Sequence, residues 1–83
     1  MELNDTIELM KSSDYNERFK AEYYQVKIRY EKLKAMLIQC DNGELKSTLA
    51  CSRAHYEIQK KAMLDYISIL ETRANIEGID LSE

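Results

Sequence analysis

Proline is absent from this chain, and glycine occurs only at positions 43 and 78. With neither breaker inside the long stretches before and after Gly43, extended helices are the natural reading of both. There is also no run approaching the roughly 18 consecutive apolar residues that span a bilayer. The start, Met1-Glu2-Leu3-Asn4-Asp5, carries neither the basic nor the apolar region of a signal peptide. The expected setting is therefore the cytoplasm, with no membrane partner.

Cysteine and histidine are equally sparse. Cys40 and Cys51 are too few for a disulfide framework, and His55, the one histidine, completes no zinc set at a recognised spacing. Reduced, buried thiols are the simplest expectation. Cys51 has Arg53 and His55 close by, which would favour a thiolate, but a structural thiol is the simpler role. The chain has no P-loop, nucleophile elbow, HExxH or glycine-rich phosphate loop. No catalytic residue, metal or cofactor is expected.

What is present is a chain of 83 residues, 45% hydrophobic and 33% charged. That balance suits a folded amphipathic helical protein and is too apolar for a disordered tail. A body this small buries only about 60% of the surface its unfolded chain exposes, so partner chains are expected to complete it. The net charge of −3 conceals an asymmetry. Residues 1–17 and residues 62–83 each sum to −4, while residues 18–61 sum to +5. An acidic protein with a basic waist does not suit a nucleic acid duplex, and a small anionic ligand fits better.

Along the chain, Asn4 to Met10 suits a short helix capped by Asn4 or Asp5. Lys11-Ser12-Ser13 breaks it, and Asp14 with Glu17 has the spacing of a capping box for a second helix. Phe19, Tyr23, Val26, Tyr30, Leu33, Leu37 and Cys40 then alternate at spacings of four and three, a heptad seam. Asp41-Asn42-Gly43 ends it. After a loop, Ser52 caps a third helix whose apolar stripe is Met63, Ile67, Leu70 and Ala74, broadened by Tyr56, Ala62 and Tyr66. Asn75 and Gly78 stop it, leaving a tail whose Ile79 and Leu81 are free to tuck onto the helices.

The fold expected is thus all-α: a single helical domain over 1–83, with a short helix at about 4–11, a helix at about 15–40, a loop 41–51, a helix at about 52–76 and a tail 77–83. The two long helices should form an antiparallel hairpin. Because two helices cannot surround their own core, the hairpin should be a homo-oligomer.

One stretch mixes aromatic and basic side chains: Tyr15, Arg18, Lys20, Tyr23, Tyr24, Lys27, Arg29 and Tyr30. Tyrosine rings stack on nucleobases while Arg and Lys meet phosphates, so this mixture suits a nucleotide site. The plainer alternative is that Tyr23 and Tyr30 are core and the lysines and arginines a solvated face.

The stretch Asp14-Tyr15-Asn16-Glu17-Arg18-Phe19-Lys20-Ala21-Glu22-Tyr23-Tyr24, continuing through Ile28-Arg29-Tyr30-Glu31-Lys32-Leu33, resembles a family of small tailed-phage proteins. Its ending is similar too, in Leu70-Glu71-Thr72-Arg73-Ala74-Asn75-Ile76-Glu77-Gly78-Ile79. The layout of helix, loop, Cys51-Ser52-Arg53 and helix also looks like the helical hairpin of phage sponges that sequester the cyclic nucleotide signals of the CBASS and Thoeris defences. Those sponges commonly have Cys-Pro where this chain has Cys51-Ser52, and Ser caps where Pro would open the helix.

The likeness implies an anti-CBASS or anti-Thoeris protein of the host cytoplasm, not an enzyme, that captures a cyclic oligonucleotide or cyclic ADP-ribose type ligand between protomers without cleaving it. The ligand-binding candidates by type and position are Tyr15, Arg18, Tyr24, Lys27 and Arg53. The alternative is a phage inhibitor that binds a host nuclease, CRISPR or polymerase component through an acidic or apolar helical face, with Glu2, Asp5, Glu8, Asp14 and Glu17 imitating nucleic acid. A structural piece of the virion is a third possibility.

Overall fold

A computed structural model describes residues 1–83 and shows three helices and no strands. A 3-10 turn, Leu3–Thr6, runs straight into α1, Ile7–Lys11. Two long helices follow, α2, Tyr15–Asp41, and α3, Arg53–Glu77. No helix is long and apolar enough to cross a membrane.

The helix ends are set by local polar chemistry. At the first turn Glu2, not Asn4 or Asp5, takes the capping position, and its N–H donates to the Asp5 carboxylate at 2.8 Å. The turn therefore begins one residue ahead of the Asn4 start, because Asp5 reaches back to the chain before it. At α2 the Asp14 carboxylate accepts from the Asn16 N–H at 3.1 Å. Glu17 does not close the expected box directly. Ser12 stands between, its Oγ accepting from the Asp14 N–H at 3.0 Å and donating to Glu17 at 2.9 Å. At α3 the Ser52 hydroxyl accepts from the His55 N–H at 3.2 Å. Asn75 lies inside α3, and Gly78 alone ends it, at φ +72°.

Contacts pair the start of α2 with the end of α3 and the end of α2 with the start of α3: Tyr15 with Glu77, Glu22 with Tyr66, Tyr23 with Glu71, and Asp41 with Arg53. Phe19, Tyr23, Tyr24, Ile67, Leu70, Ala74 and Ile79 form the core between them. Fully burying each large apolar side chain contributes roughly 1.5–3 kcal/mol. This core is concentrated toward the start of α2. Near the loop only Leu37 is fully covered.

The segment before α2 packs against α2 and not α3. Thr6, buried, donates to the Leu3 carbonyl at 2.7 Å and accepts from Gln25 at 3.0 Å. Ala21, one turn before Gln25 on the same face of α2, is also buried.

The third helix departs from the single stripe read in its sequence. Ile67, Leu70 and Ala74 are buried and Met63 and Tyr56 half-buried, but Ala62 and Tyr66 are exposed. Ala62 stands on the far side of the helix, and Tyr66 flanks the contact with its hydroxyl donating to Glu22. The thiols also depart from expectation: Cys51 is exposed in the loop and Cys40 half-buried, since α3 covers little of α2 beyond Leu37.

Candidate functional site

The five candidate residues do not gather at one place. Tyr15 is the first residue of α2 and is 47% exposed. Its hydroxyl donates to Glu77 at 2.6 Å and accepts from Arg73 at 3.2 Å. The bond to Glu77 raises the phenol pKa, and the same bond is the main cause holding the Glu77 carboxyl low. Arg73 also lies over the Phe19 ring, 4.9 Å from its centre, and the Tyr15 ring is tilted against Phe19 at 6.2 Å. An exposed aromatic ring, a guanidinium and a second ring thus meet at the start of α2.

Arg18 lies one turn further along α2, exposed, with its Nη1 donating to the Ser12 carbonyl at 2.9 Å. That single bond ties it to the α1–α2 joint and leaves the rest of its guanidinium donors turned to solvent.

Tyr24 is placed differently from the other candidates. It is buried, its ring edge-on to Tyr23 at 5.5 Å, and its hydroxyl donates to the Leu81 carbonyl at 2.6 Å. Burial, reinforced by Glu83 and Asp80, raises its pKa. The tail folds over this ring and makes it part of the core, so Tyr24 does not present a stacking face.

Lys27 is half-buried, with Nζ 5.9 Å from the centre of the Tyr23 ring. It is the middle of three lysines, Lys20, Lys27 and Lys34, spaced by seven and hence on one side of α2.

Arg53 sits at the opposite end from Tyr15. Its Nε and Nη2 grip the two Asp41 oxygens at 2.7 and 2.6 Å, and Nη1 reaches Glu57 at 2.9 Å. Asp41 is the first cause of the rise in its pKa, and the same bond lowers that of Asp41. Lys60 adds a contact to Glu57 at 3.3 Å. Arg53 is therefore occupied by two carboxylates.

With a rise of about 1.5 Å per residue, the two ends of α2 stand roughly 39 Å apart. Tyr15 and Arg53 do not converge within one chain, and the chain encloses no cavity. Sequence reasoning passed over Arg73. It is far from Tyr15 and Phe19 in sequence, and only the packing of α3 on α2 brings it there.

Neither a curated protein nor a solved structure matches the chain. A family model described as Sequestin does match, over residues 13–76. The matched span runs from just before α2 to the last turn of α3, taking in Tyr15, Arg18, Lys27, Arg53 and Arg73. This chain belongs to the Sequestin family.

Proposed function

We propose that this protein captures a small anionic signal molecule of the cyclic oligonucleotide or cyclic ADP-ribose class and holds it without cleaving it. The observation that carries the reading is the match to the Sequestin family across residues 13–76, whose name suggests sequestration. Its setting is a phage-infected cell, where the protein acts in the host cytoplasm against CBASS or Thoeris signalling. Its unit is the helical hairpin of α2 and α3, associated into a homo-oligomer with the ligand held between protomers.

Tyr15 and Arg18 are the first residues of this reading, because both are exposed and neighbouring. A base stacks on the Tyr15 ring, and phosphates meet Arg18 and Arg73. Lys27 adds charge from the lysine row. Arg53 serves only where the ligand's phosphate displaces Asp41 or Glu57, which makes it the weakest of the set.

The test is a thermal-shift screen against cyclic oligonucleotides and cyclic ADP-ribose isomers. A ligand at about 100 times its Kd stabilises the fold by roughly 2.7 kcal/mol. Calorimetry should then show weaker binding by Tyr15→Ala and Arg18→Ala, and heating the complex should release the ligand chemically intact. No shift across the panel, in folded protein free of carried nucleotide, rejects the reading.

A second reading draws on one specific observation, the large exposed side chains Ile58, Ile69 and Ile76 of α3. They suit a host protein as target. Recovery of one stoichiometric host protein, lost on Ile69→Glu, would favour it.

A further inference from the structure

The outer side of α3 is built like a second core face. Ile58, Ala62, Asp65, Ile69, Thr72 and Ile76 follow one another at spacings of four and three, opposite the buried Ile67, Leu70 and Ala74. Ile58, Ile69 and Ile76 are 67%, 58% and 77% exposed. Ile58, Ala62, Ile69 and Ile76 thus make an apolar stripe, interrupted by Asp65 and Thr72, and no element of the chain packs on this side.

The charges say which neighbour. Residues 53–61 carry Arg53, Lys60 and Lys61 against Glu57, net +2, while residues 65–77 carry Arg73 against Asp65, Glu71 and Glu77, net −2. This order opposes the helix dipole, which favours acids at the N-terminal end and bases at the C-terminal end. The first turn of α3 has no acid and the last no base. Packing on α2 does not account for the order, since α2 carries net +1 over 15–28 and net +1 over 29–41. A second α3 lying antiparallel does account for it: each basic half then meets an acidic half, and the two dipoles oppose.

We infer that the outer face of α3 is the seat of a second copy of this chain, docked with the two α3 helices antiparallel. Full overlap puts Asp65 near the two-fold axis. Small then meets large, with Ala54 opposite Ile76 and Ala62 beside Ile69 of the second copy. The adverse approach of the two Asp65 carboxylates is offset on each side by Lys61, whose Nζ lies 3.2 Å from Asp65 Oδ2. The arrangement also brings the Arg53 end of one copy to the Tyr15 end of the other, which a single chain keeps apart.

The inference deepens the oligomeric part of the proposed function, and the two fail separately. A chain that dimerises through α3 and takes no ligand removes the capture reading only. A chain that takes ligand while its mass ignores changes to the α3 face removes this inference only.

The experiment is sedimentation equilibrium on the full chain. Ile69→Glu, with helix content unchanged by circular dichroism, should weaken self-association at least ~30-fold, the effect of losing one central apolar anchor. For orientation, Cys40 and Cys51 are replaced by serine and one new cysteine is introduced. Asp65→Cys should form a covalent dimer on mild oxidation. Ile76→Cys should not, because full overlap separates its two copies by about 33 Å along the helices, beyond the reach of a disulfide. Unchanged association of Ile69→Glu, or ready cross-linking of Ile76→Cys, overturns the inference.

Discussion

Arg53, the first residue of α3, forks onto the carboxylate of Asp41, the last residue of α2, at 2.7 and 2.6 Å. The pair straps the whole intervening loop, and its planar two-point geometry is one that lysine does not reproduce. Arg53→Lys should lower the melting temperature, and Arg53→Ala should lower it further. The fork holds the Asp41 carboxyl below its ordinary range. Its contribution is therefore full above the unfolded value, about 3.9, and is lost as pH falls through the lower folded value. Melts by circular dichroism should show the Arg53→Ala deficit shrinking in acid; an equal deficit at neutral and strongly acid pH would contradict this account.

Tyr23→Phe removes the hydroxyl that donates to Glu71 at 2.7 Å and should cost about 1 kcal/mol. Burial, and then the bond to Glu71, push the Tyr23 pKa up to about 12. The unfolded phenol ionises at about 10, so on raising the pH the unfolded chain loses its proton first. The stability due to Tyr23 is complete below that value and is lost as pH rises toward the folded one. Denaturant titrations at mild and strong alkalinity should show a flatter alkaline decline in Tyr23→Phe than in the parent.

Leu70 has no exposed surface and lies in the cluster that joins both helices to the tail. Leu70→Ala should cost about 2–5 kcal/mol through lost burial and the cavity left behind. In a chain this small that is enough to show as partial unfolding in urea titrations at room temperature.

Gly78 ends α3 at φ +72°, and the Ile79 N–H turns back to the Ala74 carbonyl at 2.8 Å. A methyl group there meets nothing within 4 Å, so a penalty on Gly78→Ala comes from the backbone alone. It should be about 1 kcal/mol. The measurement is chemical denaturation, and a neutral result would mean the left-handed residue is not required.

The heptad seam of α2 was legible because one repeating interval marks it: Phe19, Tyr23 and Leu37 are buried along it, with Val26, Tyr30 and Leu33 partly so. The capping roles of Asp14 and Ser52 were legible for a different reason, being local chemistry within three residues. Tyr24 was not. It lies off the seam, and what buries it is a tail more than fifty residues away whose placement no periodicity encodes. The stripe of α3 was read too broadly because the helix has two apolar faces, and counting apolar residues without a partner merges them. Arg73 escaped notice since a cation over a ring 54 positions earlier leaves no trace in spacing.

The concentration of the core at the start of α2 has a dynamic consequence. The contacts cheapest to form, those beside the loop, close short loops but bury little beyond Leu37. Those that close the longest loops, from Phe19 and Tyr24 to Ala74 and Ile79, carry most of the burial. The molecule is thus tightest where its chain is farthest from turning back, and it should breathe from the loop end. Backbone amides of the last turns of α2 and the first turns of α3 would exchange their hydrogens ahead of those around Tyr23 and Leu70.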